Sequence, residues 1–138
     1  MEKIKNRQNS LEKSINSLER SVEKYKNKKF TDLNDYQEFR DSIIQRFEFT
    51  TDIFWKFISD YLKDEYSMQL DIIRPKPVLK ESQNVGILSQ EEHDLAIKMI
   101  ESRNITSHSY NEELAEKITH EIPQYFDLIK TVFNRIKS

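Results

Sequence analysis

Residues 36–61 read YQEFRDSIIQRFEFTTDIFWKFISDY, and this stretch decides the fold class. Tyr36, Phe39, Ile43, Phe47, Phe54, Phe57, Ile58 and Tyr61 recur at helical spacing. At 100° per residue these positions fall within an arc of about 100°, the width of a core-facing stripe. Phe49 and Ile53 lie off that arc, Phe49 nearly opposite Phe47, and Trp55 sits on the other flank. A helix apolar on more than one side is either central in a bundle or shared with another chain. Phe49 and Ile53 are therefore candidates for a dimer or partner contact, and equally for simple burial. Thr31 or Asp32 is placed to cap the helix, which is expected to run to about Tyr66.

Upstream, Ile4, Leu11, Ile15, Leu18, Val22 and Tyr25 mark a first helix, and from Leu11 the stripe has heptad spacing. Only about three heptads are present, which suits a bundle helix better than an extended coiled coil. The Lys-rich KNKK at 26–29 ends it. Downstream, Pro75 and Pro77 preclude a long helix, and Pro77 fits the first position of a short one ended by Gly86. Ser89-Gln90-Glu91-Glu92 is a capping box, opening a helix with Leu95, Ala96, Met99 and Ile100 inward and an expected end near Arg103 or Asn104. A second box, Ser109-Tyr110-Asn111-Glu112, opens a final stretch through Leu114, Ile118, Ile122, Phe126, Ile129, Val132, Phe133 and Ile136. Pro123 is expected to kink this stretch or to begin a separate helix. The sum is an all-α, antiparallel up-and-down bundle of four long helices and one short one, in a single domain spanning 1–138.

Composition agrees. One glycine and three prolines in 138 residues, with no Asn-Gly or Asp-Gly pair, leave little material for hairpins. The absence of cysteine excludes disulfides, thiolate zinc sites and cysteine nucleophiles. The N-terminal MEKIKNRQNS lacks the apolar core of a secretory signal, and no apolar run has membrane-spanning length. A cytoplasmic protein without a membrane contact is the expectation. The net charge of −2 divides into +5 over residues 1–30 and −7 over the rest. A polyanion would need a local basic surface, and Lys24, Lys26, Lys28 and Lys29 read first as a solvated helix face.

Chemistry is concentrated in one segment, Arg103-Asn104-Ile105-Thr106-Ser107-His108-Ser109-Tyr110. On a continuous helix Arg103 and His108 would stand about 140° apart. A break between them would let a loop fold His108 back toward Arg103, just ahead of a helix N-terminus that favours anions. A permanent cation, a titratable imidazole and oriented N–H donors suit a phosphodiester. His108 would move the proton of a 2′-hydroxyl or of the leaving oxygen, and Arg103 would stabilise the phosphorane. Capping and solvation explain the same residues without chemistry. His93 and His120 read as surface residues, and Glu112 and Glu113 as helix-dipole partners. No carboxylate–histidine cluster has metal-ligand spacing, so neither a metal nor another cofactor is called for.

R-N-I-T-S-H-S-Y also resembles the R-x-x-x-x-H-x-Y signature of HEPN domains found in toxin–antitoxin pairs with a minimal nucleotidyltransferase. Ile44-Gln45-Arg46-Phe47-Glu48-Phe49-Thr50 with Trp55, and Ser107 to Ala115, resemble the branch known as nucleotidyltransferase substrate-binding proteins. The resemblance implies a helical homodimer with two Arg/His pairs facing one cleft, and a nucleotidyltransferase partner. By position it implies Arg103 and His108 as a ribonuclease pair, Asn104 as their polar neighbour, and Tyr110 as the tyrosine that the partner adenylylates. Two roles follow from it. In the first, the chain is a binding subunit that docks the nucleotidyltransferase and presents or receives a substrate. In the second, it is a metal-independent endoribonuclease toxin acting on RNA and silenced at Tyr110, where added phosphate charge would repel RNA from the cleft.

Overall fold

Asp32 takes an extended backbone conformation, and its carboxylate accepts the Asn34 N–H at 2.8 Å, so the longest helix starts where a capping residue permits. This helix, α2 (Leu33–Tyr66), follows α1 (Glu2–Asn27) and precedes a short α3 (Pro75–Asn84), α4 (Gln90–His108) and α5 (Glu112–Ile136). The computed structural model describes residues 2–108 and 111–138, and for residues 107 and 108 the backbone alone. The expected all-α bundle of four long helices and a short one is what forms.

Side-chain pairs fix the direction of each helix. Arg7 meets Asp60, Ser14 meets Thr50 and Arg46 reaches Ser21, so α1 and α2 are antiparallel. Ser102 meets Tyr125 and Arg135 meets Glu92, so α4 and α5 are antiparallel as well. Tyr36 meets Glu116, Phe47 stacks on Tyr125 and Phe57 packs on Phe133, so α2 and α5 run the same way. The path is up, down, up, down. Helices α2 and α5 touch across the middle, α1 and α4 flank them on opposite sides, and α3 bridges α2 and α4.

The core joins all five helices. Leu11, Leu18, Ile43, Phe47, Phe54, Ile58, Leu79, Met99, Ile122 and Ile129 are fully or almost fully buried within it. Side chains of this size each stabilise the fold by roughly 1.5–3 kcal/mol on burial. Both edges of the α2 stripe are now defined. Ile53 and Trp55 are partly buried against the core, whereas Phe49 remains 61% exposed.

Helix ends follow local chemistry in some places and depart from it in others. The Ser89 box forms as expected: Ser89 Oγ accepts the Glu92 N–H at 3.1 Å, and Glu92 returns by accepting the Ser89 N–H at 2.9 Å. The short helix begins at Pro75, not Pro77, which falls within the first turn where a missing N–H costs nothing. Gly86 lies just past its end with φ +86°. The expected end of α4 near Arg103 or Asn104 is wrong, because the helix continues to His108. No glycine or proline interrupts that segment, and contacts from α2 hold its last turns. The second cap is Asn111 rather than Ser109: its side chain accepts the Leu114 N–H at 2.9 Å. Pro123 neither ends nor restarts α5, which runs unbroken to Ile136. A proline inside a helix costs about 3 kcal/mol, and burial of Ile118, Ile122, Phe126 and Ile129 on either side of it offsets that cost.

Candidate functional site

The site is assembled from the α2 residues beside the apolar stripe and from the C-terminal half of α4. Arg103 on α4 is held by Asp52 on α2 through two parallel hydrogen bonds, Nε to Oδ1 and Nη2 to Oδ2, both 2.9 Å. Its Nη1 also donates to Glu48 Oε2 at 3.3 Å, one turn earlier on α2. The Thr106 hydroxyl lies 2.6 Å from that same Glu48 oxygen and 2.7 Å from the Arg103 carbonyl. Hydrogen bonding to Asp52 holds the guanidinium more firmly protonated than usual, against the opposing effect of its partial burial.

The stretch of α2 that supplies these carboxylates uses each residue differently. Arg46 donates to Ser21 Oγ at 2.7 Å, tying α2 to α1. Phe47 enters the core and stacks on Tyr125, with ring centroids 5.6 Å apart. Glu48 faces α4, Phe49 faces outward, and Thr50 pairs with Ser14 across the α1 interface at 2.5 Å. Helical spacing thus lets five consecutive residues serve three neighbours and one exposed surface.

Asn104 is exposed beside a cavity of about 380 Å³ between α2, α3 and α4. Asp52, Trp55, Lys56, Pro75, Ile100 and Arg103 complete its lining. The expected segment is therefore where a cavity and a charged cluster meet. Its expected helix break is absent, and on the continuous α4 backbone residues 103 and 108 are separated by about 140° around the axis. The side chain of His108, and Tyr110 altogether, lie outside the described residues.

Glu48 and Asp52 are the members of the cluster that sequence reasoning missed. Their spacing of four places both on one flank of α2, beside the core stripe, where two carboxylates in a predominantly apolar stretch signal a cationic neighbour. The consequence for Arg103 is direct. A phosphate seeking its fork would have to displace a bidentate carboxylate and approach a second one. Within one chain this arginine acts as a clamp between α2 and α4.

A helical bundle with a carboxylate-clamped arginine on its fourth helix defines a class rather than a reaction. The chain belongs to the family described as nucleotidyltransferase substrate binding protein like, which matches residues 6–138. The resemblance to nucleotidyltransferase substrate-binding proteins, carried by residues 44–50 with Trp55 and by residues 107–115, is thereby borne out. A crystal structure of a protein from Thermus thermophilus is similar at 32% identity with a TM-score of 0.79, over 93% of this chain and 99% of that one. A mutant of the toxin–antitoxin MntA-HpeT shares the fold at 16% identity with a TM-score of 0.72, over 99% of this chain and 98% of the matched chain. No curated protein matches the sequence. Among the described residues no helix is long and apolar enough to cross a membrane.

Proposed function

We propose that the protein is the helical, substrate-binding subunit of a minimal nucleotidyltransferase in a two-component, toxin–antitoxin-like system. Family membership over residues 6–138 is the observation that carries this role. The neutralisation of Arg103 by Asp52 and Glu48 supports a binding subunit over a nuclease, since a committed guanidinium is a poor phosphate receptor. The exposed Phe49 offers an apolar contact to a partner or to a second copy in a cytoplasmic homodimer. Co-expression with a minimal nucleotidyltransferase of the same genome should yield a complex that survives gel filtration. Two separate peaks at micromolar concentration would count against it.

The alternative is a metal-independent endoribonuclease using Arg103 and His108, with Asn104 beside them and Tyr110 as the adenylylation site. It is favoured by the intact R-x-x-x-x-H-x-Y spacing. RNA cleavage in EDTA by the purified chain, lost in both Arg103→Ala and His108→Ala, would establish it. No cleavage, or cleavage surviving both substitutions, leaves the binding subunit.

A further inference from the structure

Beyond Ser102 the side chains of α4 leave the core. Ser102 is buried and pairs with the Tyr125 hydroxyl, whereas Arg103 and Thr106 are half-buried and Asn104 and Ile105 are exposed. Charge ties this part of α4 to α2. Each guanidinium nitrogen of Arg103 donates to a carboxylate, Nε and Nη2 to Asp52 and Nη1 to Glu48. The Thr106 hydroxyl donates to Glu48 as well, at 2.6 Å. Two parallel N–H bonds onto one anionic group is also the way an arginine takes a phosphate or a similar oxyanion. Asp52 thus occupies the edge of Arg103 that such a ligand would use, and Glu48 occupies the next donor.

Lack of space does not keep an anion away. The cavity of about 380 Å³ beside the pair is lined by Trp55, Lys56, Arg103 and Asn104 among others. The Lys56 ammonium lies 5.9 Å from the Trp55 ring centroid, and lysine and asparagine both carry donors that an oxyanion can use. The two carboxylates are the obstacle, because an anion aimed at Arg103 meets both of them at a range where like charges repel. The contact is also able to open. Side-chain exposure is 37% for Asp52 and 25% for Glu48, so parting them from Arg103 uncovers no hydrophobic core.

We propose that Asp52 and Glu48 form an autoinhibitory contact, in which the chain's own carboxylates stand where an oxyanion would bind and keep Arg103 masked until their charge is removed. The lock is independent of the partner role and would hold if no complex formed. Titration of the purified full chain with inorganic pyrophosphate tests it, with affinity read by calorimetry and the site read by NMR at the Arg103 Nε–H. The wild-type Arg103 signal is expected to stay unmoved. Asp52→Asn/Glu48→Gln should shift that signal and bind pyrophosphate about tenfold more tightly, the scale of one charged contact. Adding Arg103→Gln should cancel the gain. Asp64→Asn/Glu65→Gln removes the same charge from the exposed end of α2 and should bind as the wild type does. Asp52→Asn alone should give a smaller gain, and it carries the test if the double variant does not fold. A wild-type Arg103 that responds as strongly as the unmasked variants would overturn the proposal. So would unmasked variants that bind no better than wild type, an equal gain in Asp64→Asn/Glu65→Gln, or a gain that survives Arg103→Gln.

Discussion

Arg103 grips Asp52 through two hydrogen bonds of 2.9 Å, and this pair joins the fourth helix to the second at the only segment of the sequence with an evident chemical signature. A guanidinium so held cannot serve phosphate without first losing a carboxylate. The geometry therefore separates a positional role for Arg103 from a catalytic one, and the separation is measurable.

A double-mutant cycle on Arg103→Ala and Asp52→Ala should give a coupling energy of about 1 kcal/mol in urea unfolding, the upper range for a partly exposed bidentate pair. Asp52→Ala should destabilise more than Asp52→Asn, which keeps one acceptor for the fork. A coupling energy near zero would show that the clamp contributes nothing to the fold.

Thr50 is fully buried, 2.5 Å from Ser14 Oγ and 2.7 Å from the Arg46 carbonyl. Thr50→Val keeps the shape but strands the Ser14 hydroxyl, and should cost about 1–2 kcal/mol. The double variant with Ser14→Ala should recover part of that loss. Equal stability of the single and double variants would contradict the pairing.

Glu92 caps α4 and receives both Nη atoms of Arg135 at 2.9 Å. The hydrogen bonds from Arg135 hold its carboxyl below the usual range, burial opposes them, and Ser89 adds to the lowering. A carboxyl depressed in the folded state adds stability above its unfolded pKa and loses it as pH falls through the folded pKa. Wild type should therefore exceed Glu92→Gln by about 1 kcal/mol at pH 7. That margin should shrink steadily below the ordinary glutamate value of 4.5. A margin independent of pH between 3 and 7 would refute the assignment.

Phe49 is 61% exposed although it sits in the middle of the longest helix. Phe49→Ser should change the stability of the isolated chain by less than about 0.5 kcal/mol, as surface substitutions do. Binding to a partner, or self-association, should fall by several-fold in the same variant. A large loss of stability with unchanged association would place Phe49 in the fold rather than at an interface.

Local signals in the sequence carried most of the fold. The α2 stripe, the Asp32 cap and the Ser89 box each depend on residues within a few positions of one another, so periodicity and capping chemistry suffice to read them. The end of α4 did not yield to the same reasoning. The Asn-Ile-Thr-Ser that follows Arg103 has weak helix preference, and its helical form draws on Asp52 and Glu48, 51 and 55 residues away from Arg103 in sequence. The clamp was legible only as two carboxylates four apart beside an apolar stripe. Lys24 and Lys28 read as a solvated face of the first helix, and both are exposed.

The most direct measurement is the affinity between this chain and a minimal nucleotidyltransferase of the same genome, by calorimetric titration of the two purified proteins. A saturable complex of fixed stoichiometry, weakened by Phe49→Ser and indifferent to His108→Ala, is the predicted result. Absence of binding, together with RNA cleavage in EDTA that requires His108, would contradict the partner role and make the protein a nuclease.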